Sequence, residues 1–179
     1  MECIRAPQGH LLLLTGAPGI GKTTLIRKIA ERLGDRRLNG FYTQEIRNLG
    51  QRLGFRLVTF SGEEGVIAHV RFRGIHRVGK YGVDVATIDR MVETALSPEE
   101  RTDVYLVDEI GKMECLSERF VAAMRHLLEY QKPLVATLSK KGSGFIQDVK
   151  RRKDALLWEV THQNRDALPN DVVAWLGEL

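Results

Sequence analysis

The stretch LLLLTGAPGIGKTT, residues 11–24, decides the fold of this chain. A short apolar run that ends in glycine is typical of a buried strand, and we predict a strand over His10–Thr15. Apolar residues then recur every three to four positions, which predicts a helix over Thr23–Leu33 that Gly34 terminates. A glycine-rich turn therefore joins a strand to a helix.

That turn matches the pattern G-x-x-x-x-G-K-[ST]. Its glycines permit backbone angles that let successive N–H groups turn inward around an anion, and the start of the helix adds positive potential. We expect Lys22 to reach the β- and γ-phosphates of a nucleotide and the Thr23 hydroxyl to ligate Mg²⁺. The predicted nucleotide-binding residues of this phosphate-binding loop (P-loop) are Gly16, Ala17, Pro18, Gly19, Ile20, Gly21, Lys22, Thr23 and Thr24.

A second motif follows the apolar strand predicted over Val104–Val107. The acids Asp108 and Glu109 at its end match a Walker B element on a strand that we expect to neighbour the P-loop strand. Asp108 would hold Mg²⁺, and Glu109 would accept a proton from an attacking water. The alternative is that the two acids merely end a strand. A flexible turn is expected next, in which Lys112 either stabilises charge on the γ-phosphate or faces solvent.

Strands alternate with helices along the chain, which predicts an α/β fold with three layers and a mainly parallel central sheet. Residues 40–72 are expected to form an antiparallel β-meander inserted after the first helix. Arg73–Val83 shows no period and is predicted as a loop. Helices are expected from Thr87 and from Ser117, each as an N-cap. Further predicted elements are the strands Leu134–Leu138 and Leu156–Val160 and the helices Phe145–Arg152 and Pro169–Leu176.

Length and composition indicate one globular domain, with its core over residues 10–179. No stretch is apolar enough for a membrane span or a signal peptide, so we expect a cytoplasmic monomer. The formal net charge of +4 suits an anionic ligand such as a triphosphate, and also a nucleic acid. Cys3 and Cys115 match no metal-ligand spacing and are expected to be reduced thiols. Glu114 is expected to be a surface acid or a partner of Lys112.

Gly16–Thr23 and the run Asp108–Glu114, DEIGKME, resemble the nucleoside-triphosphatase family called cancer-related NTPase in animals, which is widespread in thermophilic bacteria and archaea. The similarity extends from Leu11 over nearly the whole chain. It implies slow, Mg²⁺-dependent hydrolysis of ATP, GTP, CTP and UTP. Broad base tolerance also agrees with the lack of an Asn-Lys-x-Asp guanine-reading element. The resemblance assigns nucleotide binding to the P-loop and to Leu106, Val107, Asp108, Glu109, Ile110, Gly111, Lys112 and Met113.

Two other functions stay open at this point. A small-molecule kinase would share the P-loop, with the basic stretch Arg71–Lys80 as a lid, although Glu109 beside Asp108 favours activation of water. A module that binds RNA or protein and uses hydrolysis as a timer has only the charge excess in its support. Additional candidates for phosphate or partner contact are Arg47, Arg77 and Arg165.

Overall fold

A computed structural model describes residues 9–179. In that range the strands are β1 (Leu11–Gly16), β2 (Leu38–Asn48), β3 (Gln51–Thr59), β4 (Glu64–His69), β5 (Arg77–Val78), β6 (Tyr81–Val83), β7 (Val104–Ile110), β8 (Leu134–Ser139) and β9 (Ala155–Val160). The helices are α1 (Lys22–Leu33), α2 (Val85–Ala95), α3 (Glu118–Glu129), α4 (Phe145–Lys150) and α5 (Leu168–Gly177), with a 3-10 turn at Glu114–Leu116.

All nine strands belong to one sheet, in the order β5-β6-β4-β3-β2-β7-β8-β1-β9. The five strands β2, β7, β8, β1 and β9 pair in parallel. The remaining strands extend this sheet with antiparallel pairs. The predicted α/β class, with a mostly parallel central sheet and added antiparallel strands, is therefore confirmed.

The boundaries predicted for the β-meander need correction. Residues 38–41 of β2 pair in parallel with β7, and the rest of β2 pairs with β3, so the meander grows out of a strand of the central sheet. Its antiparallel region also reaches beyond residue 72, because Arg73–Val83 contains the β5–β6 hairpin where we predicted a loop. Strands of two and three residues are too short to produce a period in the sequence.

The central strands β1, β7 and β8 are buried on both faces, and their side chains alternate between the two. On β1, Leu11 and Leu13 pack with α2, α3 and α4, whereas Leu12 and Leu14 pack with α1 and α5. The expected three layers are thus present. None of the described helices has the length and apolar content needed to cross a membrane.

Helix α2 begins three residues before the start predicted with Thr87 as its N-cap. Asp84, rather than Thr87, is the N-cap: its carboxylate accepts hydrogen bonds from Thr87 N at 3.1 Å and from Thr87 Oγ1 at 2.8 Å. Ser117 caps α3 as predicted and accepts from Phe120 N at 2.9 Å. Three positions separate cap and partner in both cases, which is the usual spacing for a side chain that binds the first turn.

Gly40 is required where β2 meets β7, and replacing it should unfold the junction. Its φ is +108°, and a Cβ would lie 2.0 Å from the Leu106 carbonyl oxygen. We expect Gly40→Ala to lower the free energy of unfolding by about 3 kcal/mol or more in urea denaturation. Gly74→Ala is the control, since nothing lies within 4 Å of its added Cβ, and we expect a change of less than about 0.5 kcal/mol. Equal losses in the two variants would contradict this interpretation.

Candidate active site

A cleft of about 1060 Å³ opens at the carboxyl ends of the parallel strands, where ligands bind in open α/β sheets. The P-loop and α1 form one side of the cleft, and residues from β2, β3 and the β5–β6 hairpin form the other. The predicted site residues that line it are Pro18, Gly19, Gly21, Lys22, Thr23, Thr24, Glu109, Gly111, Lys112 and Met113.

The P-loop has the backbone needed to bind an anion. Gly21, with φ of +106°, is the N-cap of α1 and offers no side-chain cap. The first N–H groups of the helix therefore stay available to a ligand. Three predicted P-loop residues do not line the cleft, namely Gly16, Ala17 and Ile20. Ile20 is only 4% exposed because it packs into the core.

Lys22 is held between the P-loop and β7. It is buried, and its Nζ donates to the Gly16 carbonyl oxygen at 3.4 Å. The same Nζ lies 3.8 Å from Glu109 Oε2. This position places one cation at the boundary between the phosphate cradle and the acids of β7. The predicted contact of Lys22 with the phosphates stays a prediction.

Asp108 lies beneath the cleft and is 1% exposed. Its Oδ2 accepts hydrogen bonds from Thr23 Oγ1 at 2.6 Å and from Thr43 Oγ1 at 3.1 Å. Its Oδ1 accepts from Thr137 Oγ1 at 2.9 Å. These three side-chain partners are uncharged hydroxyls, so hydrogen bonds rather than a cationic side chain stabilise the buried carboxylate.

This oxygen set fits Mg²⁺. The ion prefers carboxylate and other oxygen ligands and keeps several waters, so it needs only one or two protein ligands beside the substrate phosphates. No described group of three or more His, Cys, Asp or Glu residues would hold a metal ion without the substrate. Thr23 and Asp108 are the residues that would hold Mg²⁺ here, and their role as metal ligands stays a prediction.

Glu109 reaches the cleft beside Lys22, with its side chain 29% exposed. Burial raises the pKa of Glu109, the Lys22 cation opposes that shift, and the charge of Asp108 adds to it. A carboxylate with a raised pKa binds a proton more strongly than an ordinary one. Glu109 is therefore suited to take a proton from a bound nucleophile.

The comparison with known proteins agrees with this site. Residues 11–173 match the family model described as NTPase. The chain belongs to this NTPase family. It is 37% identical over 166 residues to nucleoside-triphosphatase THEP1 of Thermotoga sp. strain RQ2, a match that covers 92% of this chain and 94% of the relative.

Two solved structures share the fold. The crystal structure of THEP1 from Aquifex aeolicus superposes with a TM-score of 0.83 at 34% identity, covering 92% of this chain and 98% of that one. The solution structure of a human cancer-related nucleoside triphosphatase has a TM-score of 0.79 at 35% identity, covering 93% and 96% of the two chains. The family resemblance seen in the sequence is thereby confirmed.

The NTPase differs from the sequence prediction in its strand order. We expected the Walker B strand to neighbour the P-loop strand, but β8 lies between β1 and β7. The predicted end of β7 at Val107 is also wrong, since the strand continues through Ile110. β8 contributes Thr137 beneath the cleft, and Ser139 at its end lines the cleft. The run Leu134–Leu138 predicted this strand, but its place in the sheet depends on pairing partners that no local pattern specifies.

The segment predicted to bind nucleotide after β7 divides into two sets of side chains. Leu106, Val107 and Ile110 are fully buried in the two cores, which means that they position the acids from below. Lys112 is exposed and Met113 is partly buried, and both line the cleft. Direct contact with nucleotide therefore stays a prediction only for the residues of this segment that line the cleft, which are Glu109, Gly111, Lys112 and Met113.

Glu114 is a second acid of the site, and the expectation of a surface carboxylate was wrong. It is 6% exposed and lies under the cleft. A Cβ on Gly111 would lie 2.8 Å from Glu114 Oε2 and 3.5 Å from Glu109 Oε1, so the glycine lets the two carboxyl groups approach each other. Burial raises the pKa of Glu114 to about 8, with smaller contributions from the charges of Glu109 and Asp108.

This buried acid predicts a pH dependence of stability. The pKa of Glu114 is about 8 in the folded chain against an ordinary 4.5, so the folded state holds an extra proton between these values. Stability should therefore fall as the pH rises from about 4.5 to about 8. Glu114→Gln, which is neutral at every pH, should lack that fall and exceed wild type by a few kcal/mol at the upper end of the range.

Urea unfolding across that pH range tests the prediction. Glu118→Gln is the matched control, because Glu118 is exposed on the first turn of α3. Its difference from wild type should stay constant over the same range. A constant difference for Glu114→Gln as well would contradict the proposed protonation.

The three arginines that we named as candidates for phosphate or partner contact do not line the cleft. Arg47 pairs with Glu45 on the protein surface, Arg77 donates to the Lys80 carbonyl at 3.0 Å, and Arg165 approaches the Ile20 carbonyl at 3.5 Å. Burial raises the pKa of Cys115 to about 12, which disfavours its thiolate, and Cys3 lies outside the described residues. Sequence reasoning did not assign several cleft-lining residues to the site, among them Arg27, Arg52, Phe55, Tyr81, Lys140 and Lys141.

Proposed function

We propose that this NTPase hydrolyses nucleoside triphosphates to the diphosphate and phosphate, with Mg²⁺ and little selectivity for the base. The single observation that carries the proposal is the position of Glu109. Its carboxylate lies 3.8 Å from Lys22 Nζ at the end of the phosphate cradle. A water molecule on the γ-phosphate of a triphosphate bound there would lie next to a base of raised pKa.

The residues divide the reaction between them. Lys22 and the N–H groups of the P-loop bind the phosphates and stabilise the charge that develops on the γ-phosphoryl group. Glu109 accepts the proton as the water oxygen bonds to the γ-phosphorus and the bond to the β,γ-bridging oxygen breaks. Thr23 and Asp108 would hold Mg²⁺, which when bound would neutralise part of the phosphate charge.

Low base selectivity follows from where the site makes its contacts. The groups that carry charge surround the phosphates, and no Asn-Lys-x-Asp element is present to read guanine. The names of relatives support the activity, since the similar proteins of Thermotoga and of Homo sapiens are both named nucleoside-triphosphatases. We further propose that the protein acts as a cytoplasmic monomer.

Phosphate release in the absence of any acceptor tests this function. The purified protein is incubated with each of ATP, GTP, CTP and UTP, with Mg²⁺ or with a chelator. We expect Mg²⁺-dependent release at similar rates for the four nucleotides. Release only after an acceptor is added would exclude the hydrolase, and release only in the presence of RNA would favour a nucleic-acid-dependent module instead.

A further inference from the structure

The cleft continues beyond Glu109 into a region that the phosphate cradle does not need. We call this region the distal chamber and define it by Arg52, Phe55, Val78 and Tyr81, which all line the cleft. These residues come from β3 and from the β5–β6 hairpin. In the sheet, β3 lies on the far side of β7 from the P-loop strand.

A nucleotide bound on the P-loop would leave the distal chamber empty. Its γ-phosphate would lie at Lys22 and Glu109, where the cradle meets the end of β7. With its terminal phosphate facing β7, the nucleotide would extend back toward the P-loop side of the cleft. The distal chamber would then face the γ-phosphate from the side opposite the nucleoside. The volume of about 1060 Å³ lies slightly above the range of about 300–1000 Å³ that is usual for small-molecule sites, which leaves space for a second ligand.

The side chains of the distal chamber are already held in place. Arg52 Nε donates to the Tyr81 hydroxyl at 3.0 Å, and Arg52 Nη1 donates to Glu45 Oε1 at 2.6 Å. The Arg52 guanidinium carbon lies 5.3 Å from the Phe55 ring centre, and the rings of Phe55 and Tyr81 meet edge to face at 5.2 Å. Such a fixed guanidinium loses little freedom when it binds a carboxylate or phosphate.

Arg52 can also donate further hydrogen bonds to a ligand. No described residue accepts a hydrogen bond from its Nη2, and 43% of its side chain is exposed. Arg27 and Lys112 add positive charge along the same cleft. In all, six Arg or Lys residues and three Glu residues line the cleft, and the Glu residues include the Arg52 partner Glu45. The local field therefore favours an anionic ligand.

We propose that the distal chamber binds a small alcohol that carries a phosphate or carboxylate group, and that this alcohol accepts the γ-phosphoryl group. The oxyanion pairs with Arg52, and the hydroxyl faces Glu109. The hydroxyl oxygen bonds to the γ-phosphorus, the bond to the β,γ-bridging oxygen breaks, and the proton passes to Glu109. The products are the nucleoside diphosphate and the phosphorylated alcohol, and water takes the place of the alcohol when the chamber is empty. The inference rests on the proposed function, because it requires a triphosphate on the P-loop.

Binding is tested with the P-loop already filled. The protein is saturated with Mg²⁺ and a nucleoside triphosphate analogue whose β,γ-bridge is an imido group, and is titrated calorimetrically with glycerol 3-phosphate or with glycerate. We expect saturable binding of at least one probe, and the difference between the probes identifies the preferred oxyanion. Arg52→Gln should weaken this binding about tenfold or more. Arg56→Gln is the matched control on the same strand, because Arg56 pairs with Glu64 and lies outside the cleft lining.

Transfer is tested with a triphosphate labelled on the γ-phosphate. The ratio of labelled alcohol to labelled inorganic phosphate should fall about tenfold or more in Arg52→Gln and stay unchanged in Arg56→Gln. The inference is overturned if neither probe binds the filled protein, if the two arginine variants behave alike, or if a probe binds without yielding labelled product. Absence of phosphate release without a probe would instead contradict the proposed hydrolysis, while the binding titration still reports on the chamber.

Discussion

Glu109→Gln is expected to lower the turnover number for nucleoside-triphosphate hydrolysis by about 10²–10⁴-fold while changing nucleotide affinity little. The amide keeps the size of the side chain and removes the group that accepts the proton. Lys22 loses its partner at 3.8 Å but stays beside the phosphates. Steady-state phosphate release and equilibrium binding of the imido analogue measure the two quantities separately.

Glu31→Gln on α1 is the control for this variant, because Glu31 is exposed and does not line the cleft. Its turnover number should equal that of wild type. A loss of nucleotide affinity that accounts for the whole effect of Glu109→Gln would assign Glu109 to binding rather than to proton transfer.

The pH profile gives an independent check on Glu109. Burial raises its pKa above the ordinary 4.5, and the base must be unprotonated to act. The rate should therefore fall as the pH drops through that raised pKa, and the acidic limb should begin at a higher pH than an exposed glutamate would produce. In Glu109→Gln the residual rate should lack this limb.

Lys22→Met is expected to lower kcat/KM by about 10²–10³-fold or more, with weaker binding of the triphosphate. Methionine preserves much of the buried aliphatic stem and removes the cation that contacts both Gly16 and Glu109. Without that cation the pKa of Glu109 should rise further, which would move the acidic limb of any residual activity to higher pH. Phosphate release as a function of substrate concentration and pH measures both effects.

Lys28→Met is the matched control, since Lys28 lies on the same helix and its only described ion pair is with the exposed Asp166 at 3.9 Å. We expect wild-type kinetics for this variant. Similar kinetics for Lys22→Met and Lys28→Met would contradict the place assigned to Lys22 in the phosphate cradle.

Local patterns in the sequence were enough for much of the fold. The apolar run before Gly16, the helical period after it and the apolar strand before Asp108 each predicted an element that the structure contains. Short elements escaped detection, since the β5–β6 hairpin contributes only two and three residues to its strands. The cap of α2 was misplaced by three positions because Asp84 and Thr87 are both good capping residues, and the hydroxyl of Thr87 donates to Asp84.

The candidate site could be predicted from the sequence only where its functional residues are neighbours in the chain. Gly21, Lys22 and Thr23 lie in one turn, and Asp108 and Glu109 are adjacent. The burial of Glu114 could not be predicted, because the path of the chain after Gly111 decides it. Arg52 escaped notice for a similar reason, since no sequence pattern tells whether an arginine on an antiparallel strand faces a cleft or open solvent.

The sequence alone determined that this chain has a phosphate cradle between a buried strand and a helix, followed by an acidic pair on a second buried strand. Those properties depend on backbone conformation and side-chain alternation over a few residues. Only the tertiary structure decided what surrounds the acids. The partners of Asp108 come from Thr23, Thr43 and Thr137, which lie 85, 65 and 29 positions away. Strand order brings these hydroxyls together, and strand order is set by packing of the whole sheet rather than by any local period.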